Sequence, residues 1–556
     1  MMIDLLTLLA LIGNTIVESS AQNSSISATV QLDEAIFHGV SDGVANRFLG
    51  IPFAKPPVAN LRLRPPVPND PYVGNISATS FGSLCPQQLT NITIPDTVSQ
   101  NVSSIITTFT ARLFAPRPGS EDCLFLNVWA PVGINSSAGL PVVAWIPGGG
   151  FETSGASEFN GTVIVQRSLE LGEPIIFVSL NYRLNAFGFL PGKEVKAAGI
   201  GNLGLLDQRQ AFRWIQTYIR AFGGDPTKVT IAGQSAGGES VALQLLAYGG
   251  NTEGLFRGAI MESGSPMPIG DIANGQQYYD ALVEQTGCFG STDTLECLRW
   301  APFEELMIAV NSSPSIMSYQ SVVLAWVPRA DGLFLPDTFQ RATMNGKIAN
   351  VPFMIGDVDD EGTVFAVAAL NVTTDEEFRT YASAIFFPNA SESDINTLAK
   401  LYPADPAAGS PFDTGLEGAF TPQFKRLSAL IGDLIFQAPR RLVSQVRSDK
   451  QDIWAYLMKR SKTATPFGSV HGTDIGVVFR PGDLTDNVIN FINHLDPNGP
   501  HSTDGELTWP KYTNDASQLL TFIDGPMPQI ITNDTFRLDA TNFLTGLTLA
   551  HPLGGP

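Results

Sequence analysis

Apolar positions along the chain fall into two patterns that take turns. Short apolar runs at 124–129, 142–146, 175–180, 229–232, 259–262, 353–355 and 453–457 have the length and composition of buried strands. Between many of them lie segments with helical spacing. In one of these, Leu205, Leu206, Phe212, Ile215 and Ile219 share one broad face of a helix expected over 205–222, and Gly223-Gly224 supplies its stop. Strand and helix in alternation predict an α/β fold, a large, mostly parallel, doubly wound sheet with helices on both faces. Ahead of this region, 27–32 and 47–52 read as the two strands of a hairpin. Stretches 270–350 and 371–447 read as helical insertions around the sheet, within a single domain expected over 22–556.

One helical pattern stands apart. Val98, Val102, Ile105, Ile106, Phe109 and Leu113 recur at i, i+4, i+7, i+8, i+11 and i+15, an apolar stripe opposite a face of Ser, Thr, Asn and Gln. It lies between Cys85 and Cys123. The chain has four cysteines, and proximity pairs Cys85 with Cys123 and Cys288 with Cys297 out of three possible connectivities. The stripe therefore belongs to an amphipathic helix in a disulfide-closed loop, either packed as an ordinary surface helix or serving as a mobile cover.

Composition narrows the setting. Of 556 residues, 44% are hydrophobic and 15% charged, enough for a large core and unlike a disordered chain. A net charge of −20 repels nucleic acid and anionic membrane surfaces, so neither is expected as a partner. The apolar stretch 5–12, followed by Ser19-Ser20-Ala21, predicts a secretory leader over 1–21, although Asp4 stands where a basic residue is usual. Ten N-x-S/T sequons fit a secreted glycoprotein, and no run reaches the length of a membrane span. The cysteines have no Cys-x-x-Cys or close histidine pair, so neither a metal nor a cofactor is expected.

Candidate chemistry centres on Gly233-Gln234-Ser235-Ala236-Gly237, between an apolar strand pattern and a helical one. Strand, G-x-S-x-G and helix in that order describe a tight turn that raises a serine hydroxyl above a sheet, the nucleophile elbow of α/β-hydrolases. Such a serine needs a base and an acid, and in this fold the chain order is Ser, acid, His. His471, in Gly468-Ser469-Val470-His471-Gly472 after the strand 453–457, fits better than His494, His501 or His551. The acid should follow the strand 353–355, where Asp357, Asp359, Asp360 and Glu361 compete and spacing does not choose among them. Pro147-Gly148-Gly149-Gly150-Phe151 follows the strand 142–146 in the place of an oxyanion loop, and Ala236 follows the serine with a further backbone donor.

These features resemble the type-B carboxylesterase/lipase family, which includes cholinesterases and fungal lipases of the Candida rugosa kind. The resemblance rests on Glu121-Asp122-Cys123-Leu124-Phe125-Leu126-Asn127-Val128, 145–152, Asn181-Tyr182-Arg183, 201–208, 222–237 and Met261-Glu262-Ser263-Gly264. It implies the α/β-hydrolase fold, with Ser235 as nucleophile, Glu361 as acid and His471 as base. It also implies Gly149, Gly150 and Ala236 as oxyanion donors, both short-range disulfides, and Ser263 as a serine that supports the acid. Gln234 departs from it, the family commonly having Glu there, and altered local packing is the expected consequence. The 85–123 segment matches the lid of the fungal lipases in place and length. The expected activity is hydrolysis of long or bulky apolar acyl esters, such as glycerides or sterol esters, at a lipid–water interface. The alternatives are a carboxylesterase for aromatic esters such as hydroxycinnamates and, in another class, a binding module without catalysis.

Overall fold

Thirteen strands form one sheet in a computed structural model that describes residues 26–500 and 507–554. The expected leader, Asn23 and His501 lie outside the described residues. The strands are β1 (Ile26–Leu32), β2 (Glu34–Ser41), β3 (Ala45–Pro52), β4 (Val73–Ser77), β5 (Phe125–Pro131), β6 (Leu140–Ile146), β7 (Ile176–Leu180), β8 (Gly224–Gln234), β9 (Gly258–Glu262), β10 (Phe353–Val358), β11 (Ile453–Met458), β12 (Gln518–Phe522) and β13 (Gln529–Asn533). Their order is β1-β2-β3-β5-β7-β6-β8-β9-β10-β11-β12-β13, with β4 beside β2. From β7 through β12 every neighbouring pair is parallel, while the strands toward β1 and the last strand run antiparallel to their neighbours, β4 excepted.

The central strands are apolar throughout because both faces are covered. In β6, Val142, Ala144 and Ile146 enter one hydrophobic core and Val143 and Trp145 the other. In β10, Phe353 and Ile355 face the first core and Met354 the second. This is the two-residue period of a strand read on two buried faces, which explains why these segments look like unbroken apolar runs.

Four helices matter for the site: α1 (Gln100–Phe114), α2 (Leu203–Tyr218), α3 (Ala236–Leu246) and α4 (Asp483–His494). The expected helix 205–222 is α2 plus a 3₁₀ turn, and Gly223 ends it at φ 87°, a left-handed conformation open to glycine. Two expectations change at the N-terminal side. The strands expected as a hairpin do not pair, because β2 lies between β1 and β3. Asp33, at φ 49°, turns the chain straight back after β1. Small Ala35 and Gly39 on the inner face and the exposed Ile36 hide the alternation of β2 in the sequence. The stripe helix also starts later than its pattern: Ser99 caps α1, so Val98 precedes the helix, although it is buried.

Candidate active site

The turn between β8 and α3 is closed by backbone that glycine alone leaves room for. Ser235 sits at φ 57°, ψ −131°, a strained conformation, and its N–H donates to the Glu262 carbonyl at 2.9 Å. A Cβ on Gly237 would lie 2.0 Å from the Ile146 carbonyl oxygen, and one on Gly233 would lie 2.5 Å from the Gly237 carbonyl carbon. The β6 end and the start of α3 are thus pressed together, which holds the Ser235 hydroxyl up at the C-terminal edge of the parallel strands.

Ser235 Oγ lies 2.8 Å from His471 Nε2, and His471 Nδ1 lies 2.5 Å from Glu361 Oε2. Residues more than a hundred positions apart meet because two loops are sewn together. Asp360 donates its N–H to the Ser469 carbonyl at 3.0 Å, Ser469 N–H donates to Asp360 Oδ2 at 2.8 Å, and Thr363 Oγ1 donates to the Phe467 carbonyl at 2.9 Å. The other candidate histidines among the described residues stand elsewhere. His494 ends α4, 3.0 Å from Glu173, and His551 follows the C-terminal helix.

Four carboxylates that the sequence leaves in competition have four different surroundings. Asp357 pairs with Arg440 at 2.9 Å. Asp359 and Asp360 share Lys462. Glu361 reaches the imidazole and accepts the Val358 N–H at 2.8 Å. The two lysine-paired acids and the arginine-paired acid are taken up by those cations, and Glu361 is the one of the four that meets the histidine.

Burial governs the electrostatics here. It pushes His471 down to about 4, against smaller opposing effects from Asp474 and Asp357. It pushes Glu361 well above the usual carboxylate range, helped by the Asp474 charge and opposed by the Val358 N–H and the Ser263 hydroxyl. The imidazole is therefore held neutral, with Nδ1 facing the Glu361 carboxyl and Nε2 facing the Ser235 hydroxyl.

Ser263 lies close to the acid, and its hydroxyl donates to Asp474 Oδ2 at 2.7 Å. Asp474, three residues after His471, also accepts from Tyr456 and is wholly buried. Sequence reasoning did not single it out, since a lone Asp after a candidate histidine carries no pattern. The Gln234 amide also meets the imidazole, its Nε2 lying 3.4 Å from His471 Nε2. Glu239, on α3, is buried and raised to about 8 by desolvation and by the Glu361 charge.

A cavity of about 30 Å³ opens on the serine, lined by Ser235, Gly150, Ala236, Glu239 and the apolar side chains of Met267, Ile316, Leu324 and Phe436, among others. Gly150 and Ala236 thus share the space in front of the hydroxyl, and Gly149, at φ 107°, precedes Gly150 in its turn. That volume suits a water or two and is far below the roughly 300 Å³ of a small-ligand site. Helix α1 packs on the loop that carries His471: Ile106 and Phe109 are buried, Val102, Ile105 and Leu113 are half-buried, and Phe109 stacks on Phe467 with centroids 4.6 Å apart. Phe467 begins the loop that carries His471. At its base the segment is closed by the Cys85–Cys123 disulfide, with Cα atoms 4.9 Å apart, and Thr90 Oγ1 donates to the Phe114 carbonyl. The second disulfide joins Cys288 and Cys297.

Comparison with known proteins places these features in context. Residues 29–537 match the model of the carboxylesterase family. The chain is 41% identical to "Secreted lipase 1" of Botryotinia fuckeliana over 88% of each chain. It is 42% identical to "Lipase 4" of Diutina rugosa over 86% of this chain and 88% of that one. It is 37% identical to "Secreted triacylglycerol lipase LIP1" of Gibberella zeae over 93% of this chain and 90% of that one. Among solved structures, the crystal structure of Aspergillus niger EstA superposes with a TM-score of 0.78 at 28% identity, covering 94% of this chain and 99% of that one.

Proposed function

We propose, from the premise that this chain belongs to the carboxylesterase family and is a carboxylic ester hydrolase with the α/β-hydrolase fold, a serine acyl-enzyme mechanism on apolar esters. Ser235 is the nucleophile, His471 the base and Glu361 the group that orients it. The observation that carries this reading is the unbroken relay from Ser235 Oγ through both imidazole nitrogens to the Glu361 carboxyl. Ser235 Oγ attacks the ester carbonyl while His471 Nε2 takes its proton. The tetrahedral oxyanion is held by backbone N–H groups of Gly149, Gly150 and Ala236, aided by the N-terminus of α3. Collapse expels the alcohol, which receives the proton from Nε2, and water then repeats the sequence on the acyl-enzyme to release the acid. Ser263 supports the acid from beside Asp474.

For the acyl group, the lining of Met267, Ile316, Leu324 and Phe436 favours an apolar chain, and a space of about 30 Å³ admits one only if a neighbouring segment moves. Helix α1, amphipathic and bounded by a disulfide, is that segment. Opening exposes its stripe, which a lipid–water surface stabilises. Relatives named as lipases support glycerides or similar esters over hydroxycinnamates. A binding role without catalysis has no support from a site in which every member of the relay is present. Secretion of the chain, after removal of a leader over 1–21, is supported by relatives named as secreted and by sequons that, in the described residues, are all exposed except the half-buried Asn311. No helix among the described residues is long and apolar enough to cross a membrane. Residues 22–556 are read as one domain, supported by a sheet that draws strands from both ends of the described chain.

Hydrolysis of a long-chain glyceride, measured below and above its solubility limit beside methyl ferulate, tests the substrate class. A rise in rate on crossing the limit, with little turnover of methyl ferulate, is the expected result. A faster reaction with methyl ferulate and no rise across the limit would reverse the assignment.

A further inference from the structure

Gln234, directly before the nucleophile, is buried, and its Nε2 lies 3.4 Å from the same His471 nitrogen that faces Ser235 Oγ at 2.8 Å. The amide is wedged between the base and the oxyanion turn: a Cβ on Gly148 would come within 3.5 Å of Gln234 Oε1. The titratable groups facing the imidazole from other elements are all acidic. Glu361 bonds Nδ1, and Asp474 and Asp357 act on it through space. Glu239 and Glu262 stand behind them, coupled to Glu361 and Asp474. The rings of Phe365 and Phe436 lie 5.1 and 4.9 Å from the imidazole and keep water from it. Gln234 is therefore, with the Ser235 hydroxyl, a neutral polar contact on the reacting nitrogen, where the other polar groups around the ring are acidic.

We propose that Gln234 is a positioning residue whose neutral amide adds to the effect of burial in keeping His471 Nε2 unprotonated and turned toward Ser235 in acid, and so extends ester hydrolysis to lower pH. The proposal rests on the triad reading above and deepens it. An amide N–H directed at an imidazole lone pair stabilises the neutral base, the form that accepts the serine proton. A carboxylate in the same place would do the reverse. Within about 4 to 6 Å an opposite charge favours the protonated ring by one to three pH units. It would also retain the Nε2 proton that the departing alcohol needs.

The test is the pH dependence of kcat/KM for a soluble ester, followed by chromatography of the released acid from pH 3 to 8, in wild type, Gln234→Glu and Gln234→Met. The acid limb of Gln234→Glu should move up by about one pH unit or more, and that of Gln234→Met should move up by less, since it loses the donor without gaining a charge. Fluorophosphonate labelling of the same preparations separates the two ideas. Labelled Gln234→Glu enzyme whose acid limb coincides with that of wild type overturns the role of Gln234 and leaves the triad standing. Wild type that resists labelling overturns the triad. If Gln234→Glu does not fold, Gln234→Met decides: an unmoved or lowered limb overturns the proposal.

Discussion

His471 has to be neutral to accept a proton and tolerant of charge once it has one. Burial favours the first condition and places its protonation at about 4, while Glu361, Asp474 and Asp357 supply the second. Activity therefore depends on a base that stays unprotonated through most of the acid range. The rate should be nearly level from pH 7 down to pH 5 and fall as pH drops through about 4, measured as kcat/KM on a soluble ester; an acid limb near 6.5, the ordinary histidine value, would contradict the buried environment. Ser235→Ala should lower kcat by roughly 10⁵- to 10⁶-fold with the fold retained by circular dichroism. At this scale the sequence was partly legible. Ser235 had a motif and His471 could be reached by chain order, but spacing did not tell Glu361 from Asp357, Asp359 and Asp360, and only the family resemblance pointed to it before partners were assigned to each. Those partners, Arg440 and Lys462, come from distant segments that spacing does not connect. Asp474 was invisible for the same reason, since its importance lies in what surrounds it.

Among elements, the elbow and α1 carry opposite demands. The elbow must not move: Gly237 has no space for a side chain against the Ile146 carbonyl, so Gly237→Ala should cost about 3 kcal/mol or more and appear as loss of soluble protein or a large drop in Tm. On the proposed lid reading helix α1 moves, and the Phe109–Phe467 stack is one of the contacts it gives up. Phe109→Ala should weaken the closed arrangement, raising the rate on dissolved esters and shrinking the jump at an emulsion surface. An unchanged jump in that variant would show that α1 is a fixed surface helix. The central strands were plain in the sequence because burial on both faces leaves continuous apolar runs. Strand β2 was not, because glycine, alanine and an outward-facing isoleucine blur its alternation.

For the molecule as a whole, titration of buried acids sets a preference for mild acid. Glu152 and Glu239 are held at about 8 by burial, far above their unfolded values, so the stability each contributes is full below about 4.5 and is lost as pH rises through 8. Growing negative charge on a chain already at −20 acts in the same direction. Asp534, gripped by Arg440 and Arg441, is depressed, and its contribution is lost as pH falls below the ordinary aspartate range. His471, buried neutral, also loses stability between 6.5 and 4. Tm should therefore peak near pH 5 and be lower at both pH 8 and pH 3, by scanning calorimetry; a maximum at pH 8 would contradict the burial of these acids.

The proposed mechanism turns on one covalent event at one hydroxyl, and a fluorophosphonate reports it directly. Peptide mass spectrometry of the treated enzyme should find a single adduct, on Ser235, with activity lost in proportion and labelling abolished in Ser235→Ala and strongly slowed in His471→Ala. An adduct on another residue, or full ester hydrolysis by Ser235→Ala, would contradict the account.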